Sequence, residues 1–122
     1  MIPIYWGIFI PNKGGVLDKV VIWQHITFGF KTEYPEFLHG KFVENIKIVG
    51  YGNDSKNEAY LVELPEWTKK YYHKTTKPHI TLSTCWSGKP VDSAKLDFSP
   101  IESTIEYGVF GYFNGGSIPV LH

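Results

Sequence analysis

The sequence predicts an α+β fold with a mainly antiparallel β-sheet and short helices, arranged as two similar lobes. Three observations carry that expectation. Strand-length runs of alternating apolar residues outnumber helical patterns. Pro, Gly and polar turn residues separate those runs, where parallel strands would need long helical crossovers. One short motif also occurs twice, as Gln24-His25-Ile26-Thr27-Phe28 and as Pro78-His79-Ile80-Thr81-Leu82.

Taken in order, Ile2 to Ile10 places Ile2, Ile4, Trp6, Ile8 and Ile10 on one face and Tyr5, Gly7 and Phe9 on the other. Both faces are largely apolar, which predicts a central strand. Pro11 to Gly15 is a turn, and Val16 to Trp23 fits either a short helix or a strand leading into His25 to Phe30. Pro35 at a first helical position predicts one or two helical turns within Tyr34 to Lys41. Phe42 to Tyr51 and Ala59 to Leu64 read as a hairpin joined by the polar stretch Gly52 to Glu58. Pro65 opens a short helix to Tyr72, with Trp67 and Tyr71 on one face. Lys74 to Pro78 is extended, because Pro78 disfavours helix at Lys77. His79 to Thr84 is a strand and Ser87 to Ser93 a loop. Ser103 to Phe113 is a half-buried strand, with Ile105, Tyr107 and Val109 set against Thr104, Glu106 and Gly108. The chain ends in a turn and a tail.

The 122 residues suffice for one domain, residues 1–122, with a real core. An apolar share of 43% and an aromatic share of 16% exclude disorder as the default. The apolar runs are strand-sized, so none spans a bilayer. The start lacks a basic stretch and a small-residue cleavage site, so no signal peptide and no membrane association are expected. The expected compartment is the cytoplasm (the host cytoplasm if the chain is viral). Cys85 is the sole cysteine, which excludes an intramolecular disulfide and a cysteine-rich zinc site. A net charge of zero argues against holding duplex DNA by phosphate neutralisation. All twelve basic residues are Lys. With no guanidinium to clamp it, a phosphate must be held by hydroxyls, backbone amides, His or Lys.

Residues two apart in a strand share a face. His25 and Thr27 therefore point one way while Ile26, Phe28 and Phe30 point into packing. His79, Thr81 and Ser83 repeat the pattern, with Ile80 and Leu82 behind them. Histidine is costly to bury unpaired, so two strands with the same His-then-Thr face predict a shared polar cleft. Two imidazoles supply a general base and a general acid near neutral pH, with a bell-shaped rate profile centred there. Two hydroxyls supply donors to non-bridging phosphate oxygens. The set suits in-line displacement at phosphorus and calls for no metal or other cofactor.

His25-Ile26-Thr27 and His79-Ile80-Thr81 resemble the paired His-apolar-Thr/Ser motifs of the 2H phosphoesterase superfamily. The resemblance implies a bilobal fold of two pseudo-symmetric β-rich halves around a central cleft, with short helices outside. It implies His25 and His79 as acid and base, and Thr27 and Thr81 as phosphate ligands. The superfamily includes RNA cyclic phosphodiesterases and phage nucleases that destroy cyclic oligonucleotide signals. The implied substrates are therefore RNA 2′,3′-cyclic phosphate ends, or cyclic oligonucleotide signals cleaved by a viral anti-defence enzyme. The compact chain favours the second.

Around the motifs, Trp86 is the first choice for stacking a nucleobase at the cleft rim, with Trp6 and Ser83 as further substrate contacts. Lys31, Lys74, Lys77 and Lys89 flank the motifs and together would attract a polyanion. His39, His73 and His122 read as solvated, and Cys85 as a buried structural thiol. A zinc site from His25, His79 and Cys85 ranks below the acid–base pair. Two rival functions use the same residues: a non-catalytic nucleotide- or RNA-binding module, and an interaction domain whose His and Thr only satisfy a polar seam. Protein partners are not indicated.

Overall fold

The alternating runs become strands, and the strands close on one another. The structure, a computed structural model, describes Met1–His122. It contains β1 (Tyr5–Phe9), β2 (Lys19–Val20), β3 (His25–Phe30), β4 (Phe42–Asn53), β5 (Asn57–Glu63), β6 (His79–Thr84) and β7 (Ser99–Phe113). The sheet order is β2-β6-β3-β1-β7-β4-β5, every pairing is antiparallel, and β5 pairs back onto β6. Six strands thus form a closed barrel, with β2 as an extra strand on β6. Closure removes most of the unpaired edge that an open sheet would expose. No helix is long and apolar enough to cross a membrane.

The helical content is three 3₁₀ segments, Glu36–Leu38, Glu66–Tyr71 and Pro90–Lys95. The first two fall where Pro35 and Pro65 predict helix. In the second, the tighter 3₁₀ winding does not hold Trp67 and Tyr71 together. Trp67 instead meets Phe110 at 6.2 Å, while Tyr71 meets Phe37 at 5.5 Å. The third segment overlaps a stretch expected to be loop, with Pro90 opening it. Val16 to Trp23 contributes only the two-residue β2.

The core joins Trp6, Ile8, Ile26, Phe28, Ile80, Leu82 and Phe110 with residues of β4 and β5. Phe28 and Phe110 meet edge-to-face at 5.2 Å. This contact fixes the parity of β7 opposite to that expected. Phe110, Gly108 and Glu106 face inward, while Ile105 and Tyr107 are 59% and 51% exposed. Gly108 fits inward because a side chain there would strike Ile8 and the Phe9 carbonyl. Glu106, though buried, ion-pairs with Lys13 and accepts the Tyr107 N–H at 3.1 Å. Paired in this way, its carboxylate tolerates burial.

Two bulges shape the sheet beside the motifs. Against β1, the partners of Trp6 and Gly7 are Gly29 and Thr27, leaving Phe28 as an extra residue in β3. Against β5, the partners of Glu58 and Ala59 are Ser83 and Thr81, leaving Leu82 extra in β6. Each bulge thus lies one residue beyond a motif threonine. In β3 it also reverses the facing of the strand's last residues: Phe30 is exposed and lines the cleft, not the core as expected.

Candidate active site

Ile26 of β3 pairs directly with Ile80 of β6. Both isoleucines are fully buried, so the residues on either side of each face the other way. In an antiparallel ladder, the flanking positions then set His25 beside Thr81 and Thr27 beside His79. All four line one cavity of about 440 Å³. A pocket of that size is within the usual range for small ligands. The sheet therefore assembles from two distant segments the group that the repeated motif predicts.

Both imidazoles are oriented in the same way. His25 Nδ1 lies 2.8 Å from the Trp23 carbonyl oxygen, and His79 Nδ1 lies 2.9 Å from that of Lys77. A carbonyl can only accept, so each Nδ1 carries the proton and each Nε2 keeps its lone pair. In each case the acceptor is the carbonyl two residues earlier. The same local geometry fixes both tautomers.

Their surroundings differ. His25 stacks on Tyr5 at 4.3 Å between ring centroids and 15° between planes, and Phe9 lies 5.2 Å away. Burial pushes the His25 pKa down to about 4, the Trp23 carbonyl opposes the shift, and His79 adds to it. His79 is also lowered, mainly by burial and further by the Lys74 ammonium, against the pull of the Lys77 carbonyl. Burial thus favours the neutral form of both rings. Burial raises the Tyr5 phenol to about 12, so it stays protonated near neutral pH.

The secondary contacts expected from sequence lie elsewhere. Trp6 is fully buried in the core, where its Nε1–H donates to Thr32 Oγ1 at 3.0 Å. It shares a face with Ile8, and that face is the core. Ser83 is also fully buried: its hydroxyl donates to Glu58 Oε1 at 2.7 Å and accepts the Leu17 N–H at 3.1 Å. It serves to hold the loop before β2. Trp86 is 78% exposed, sits under the Lys19 ammonium at 4.3 Å, and is not part of the cleft wall. Cys85, expected to be buried, is partly exposed beside Ser87 Oγ at 3.3 Å and lies outside the cleft. No group of three His, Cys, Asp or Glu side chains is placed to hold a metal ion, so the His25, His79 and Cys85 set is not assembled.

Of the other residues in the cleft wall, sequence reasoning selected only Lys74. Tyr5 and Phe30 reach it from β1 and β3, Val21 from beyond β2, and Val91 from the third 3₁₀ segment. Lys74 and Thr76 reach it from the loop before β6. For Tyr5 a signal existed, since it alternates with Trp6 and so faces away from the core. No family model, no curated protein and no solved structure matches the chain. These residues and their geometry carry the functional case.

Proposed function

We propose that the cleft belongs to a metal-independent phosphodiesterase of the 2H type, acting on cyclic oligonucleotides or on RNA 2′,3′-cyclic phosphates. The observation that supports this most is the matched pair of histidines. Each donates its Nδ1–H to the carbonyl two residues back, leaving two Nε2 atoms for one cavity that also holds Thr27 and Thr81. In the reaction, one neutral imidazole accepts the proton of the attacking hydroxyl or water as its oxygen bonds to phosphorus. The other imidazole, protonated on Nε2, gives that proton to the leaving oxygen as the P–O bond breaks. Thr27 and Thr81 donate to the non-bridging oxygens, where negative charge builds up.

The pseudo-symmetric, two-lobed arrangement is part of the same proposal. It is supported by the Ile26–Ile80 pair, by the bulges at Phe28 and Leu82, and by the strand order, in which β3-β1-β7 answers to β6-β5-β4. Apolar wall residues such as Phe30, Val21 and Val91 suit a nucleobase or ribose beside the phosphate.

The test is turnover of a panel of cyclic dinucleotides, cyclic trinucleotides and 2′,3′-cyclic mononucleotides in the presence of EDTA. Cleavage of at least one class is expected. Replacing the ribose 2′-hydroxyl at the scissile linkage by hydrogen should stop cleavage of a cyclic oligonucleotide if that hydroxyl is the nucleophile, and should be tolerated if water attacks. Binding without turnover would favour the non-catalytic module, and neither binding nor turnover would favour the interaction domain. Activity lost in EDTA and restored by zinc or manganese would overturn the two-histidine mechanism.

A further inference from the structure

Twelve residues line the cleft, and among them Lys74 carries the only formal charge apart from the histidines. No carboxylate lines the cavity, and none of the ion pairs in the molecule includes Lys74. Lys74 is partly exposed and lines a cavity that supplies no counter-ion, so an anion in the cavity would meet its charge unopposed.

The segment that carries Lys74 is anchored along its length. The His73 N–H donates to the Phe28 carbonyl at 2.8 Å, and the His73 ring lies edge-on to Trp6. The Tyr72 hydroxyl donates to the Thr76 carbonyl at 2.9 Å. The Lys77 carbonyl accepts the His79 Nδ1–H. Lys74 is thus presented by a loop tied both to the core and to a motif imidazole. Donors fixed in advance cost little reorganisation at the moment of reaction.

We infer that Lys74 is an anion-holding arm of the cleft, adding one positive charge to the hydroxyls that Thr27 and Thr81 offer a phosphate. The inference rests on the phosphodiesterase reading and names one further residue that touches the substrate. It also supplies what the chain otherwise lacks. With no arginine in the sequence, Lys74 is the one side chain in the cleft, apart from a protonated histidine, that can offset the charge building up on the non-bridging oxygens in the transition state.

The experiment compares wild type with Lys74→Met and Lys74→Arg, using Lys47→Met, exposed on β4, as a control outside the cleft. Two readouts are needed: turnover of the panel substrate, and binding of inorganic phosphate monitored through the imidazole NMR signals. Lys74→Met should lower kcat by about 10²–10³ with a smaller change in KM, as for loss of one preorganised donor. Lys74→Arg should recover most of that loss. Phosphate should bind at least about tenfold more weakly to Lys74→Met, and His79 should titrate at higher pH once the ammonium is gone. A Lys74→Met protein with wild-type phosphate affinity and wild-type His79 titration overturns the arm. A wild type that binds phosphate through Lys74 yet cleaves no phosphodiester supports the arm and overturns the enzyme. A wild type that cleaves while Lys74→Met cleaves equally well overturns the arm and leaves the enzyme standing.

Discussion

Each motif histidine has its Nδ1–H committed to a backbone carbonyl, and burial of the ring shapes its pH behaviour. A His with a lowered folded pKa binds fewer protons in the folded state than when unfolded. Its contribution to stability is complete above the unfolded value of 6.5 and is lost as pH falls toward the folded value. For His25 that window runs from 6.5 down to about 4. Stability should therefore fall across it, and His25→Gln should flatten the fall in a series of denaturant melts. Under the proposed function, catalysis should shift the same way. The kcat/KM profile reports the free enzyme, whose two imidazoles are both lowered, so its bell should peak below neutrality, not at it. A bound phosphate anion raises both values, so the kcat optimum should lie at higher pH than the kcat/KM optimum. Coincident optima would mean that the anion does not sit beside the histidines. Ser83 gives a contrasting residue. Ser83→Ala leaves Glu58 and the Leu17 N–H each short of a partner and should cost about 1–3 kcal/mol in stability. Its kcat should match wild type, and a loss of kcat without loss of stability would return Ser83 to the cleft.

At the scale of elements, the sequence pattern locates strands well and faces less well. β6 lies where alternation and Pro78 place it, and the two motifs share a cleft because the β3–β6 pair aligns Ile26 with Ile80. The facing of Phe30 was not legible, since a bulge depends on which strand lies alongside and leaves no mark on periodicity. The same holds for β7, where alternation is clear but Phe110, Gly108 and Lys13 decide which set turns inward. Thr76 sits on a loop that has no period to read, and Lys74 shows in the sequence only as one of four lysines flanking the motifs. Gly7 makes the β1–β3 seam possible: opposite the bulge, a Cβ would land on the Ile26 carbonyl oxygen. Gly7→Ala should therefore destabilise by about 1–3 kcal/mol, as overpacking does, and should also lower kcat by displacing His25 and Thr27. Gly116→Ala, which meets no close neighbour, should leave the denaturation midpoint in place. Equal midpoints for the two variants would show that β3 can give way at no cost.

For the molecule as a whole, the barrel brings two remote tripeptides into one site through strand pairing. β1, β7, β4 and β5 link β3 to β6 the long way round, and the direct contact between the two motif strands is the Ile26–Ile80 pair. Closure makes the relative placement of His25 and His79 a property of the entire sheet. If they act as one acid–base unit, neither works without the other, and the losses on removing them cannot add. Turnover in EDTA should therefore be measured for wild type, His25→Ala, His79→Ala and the double variant, with folding of each checked by its melt. Each single substitution is expected to lower kcat by roughly 100- to 10,000-fold, with the double variant little worse than either single one. A folded single variant retaining more than half of wild-type activity would refute the paired-histidine site.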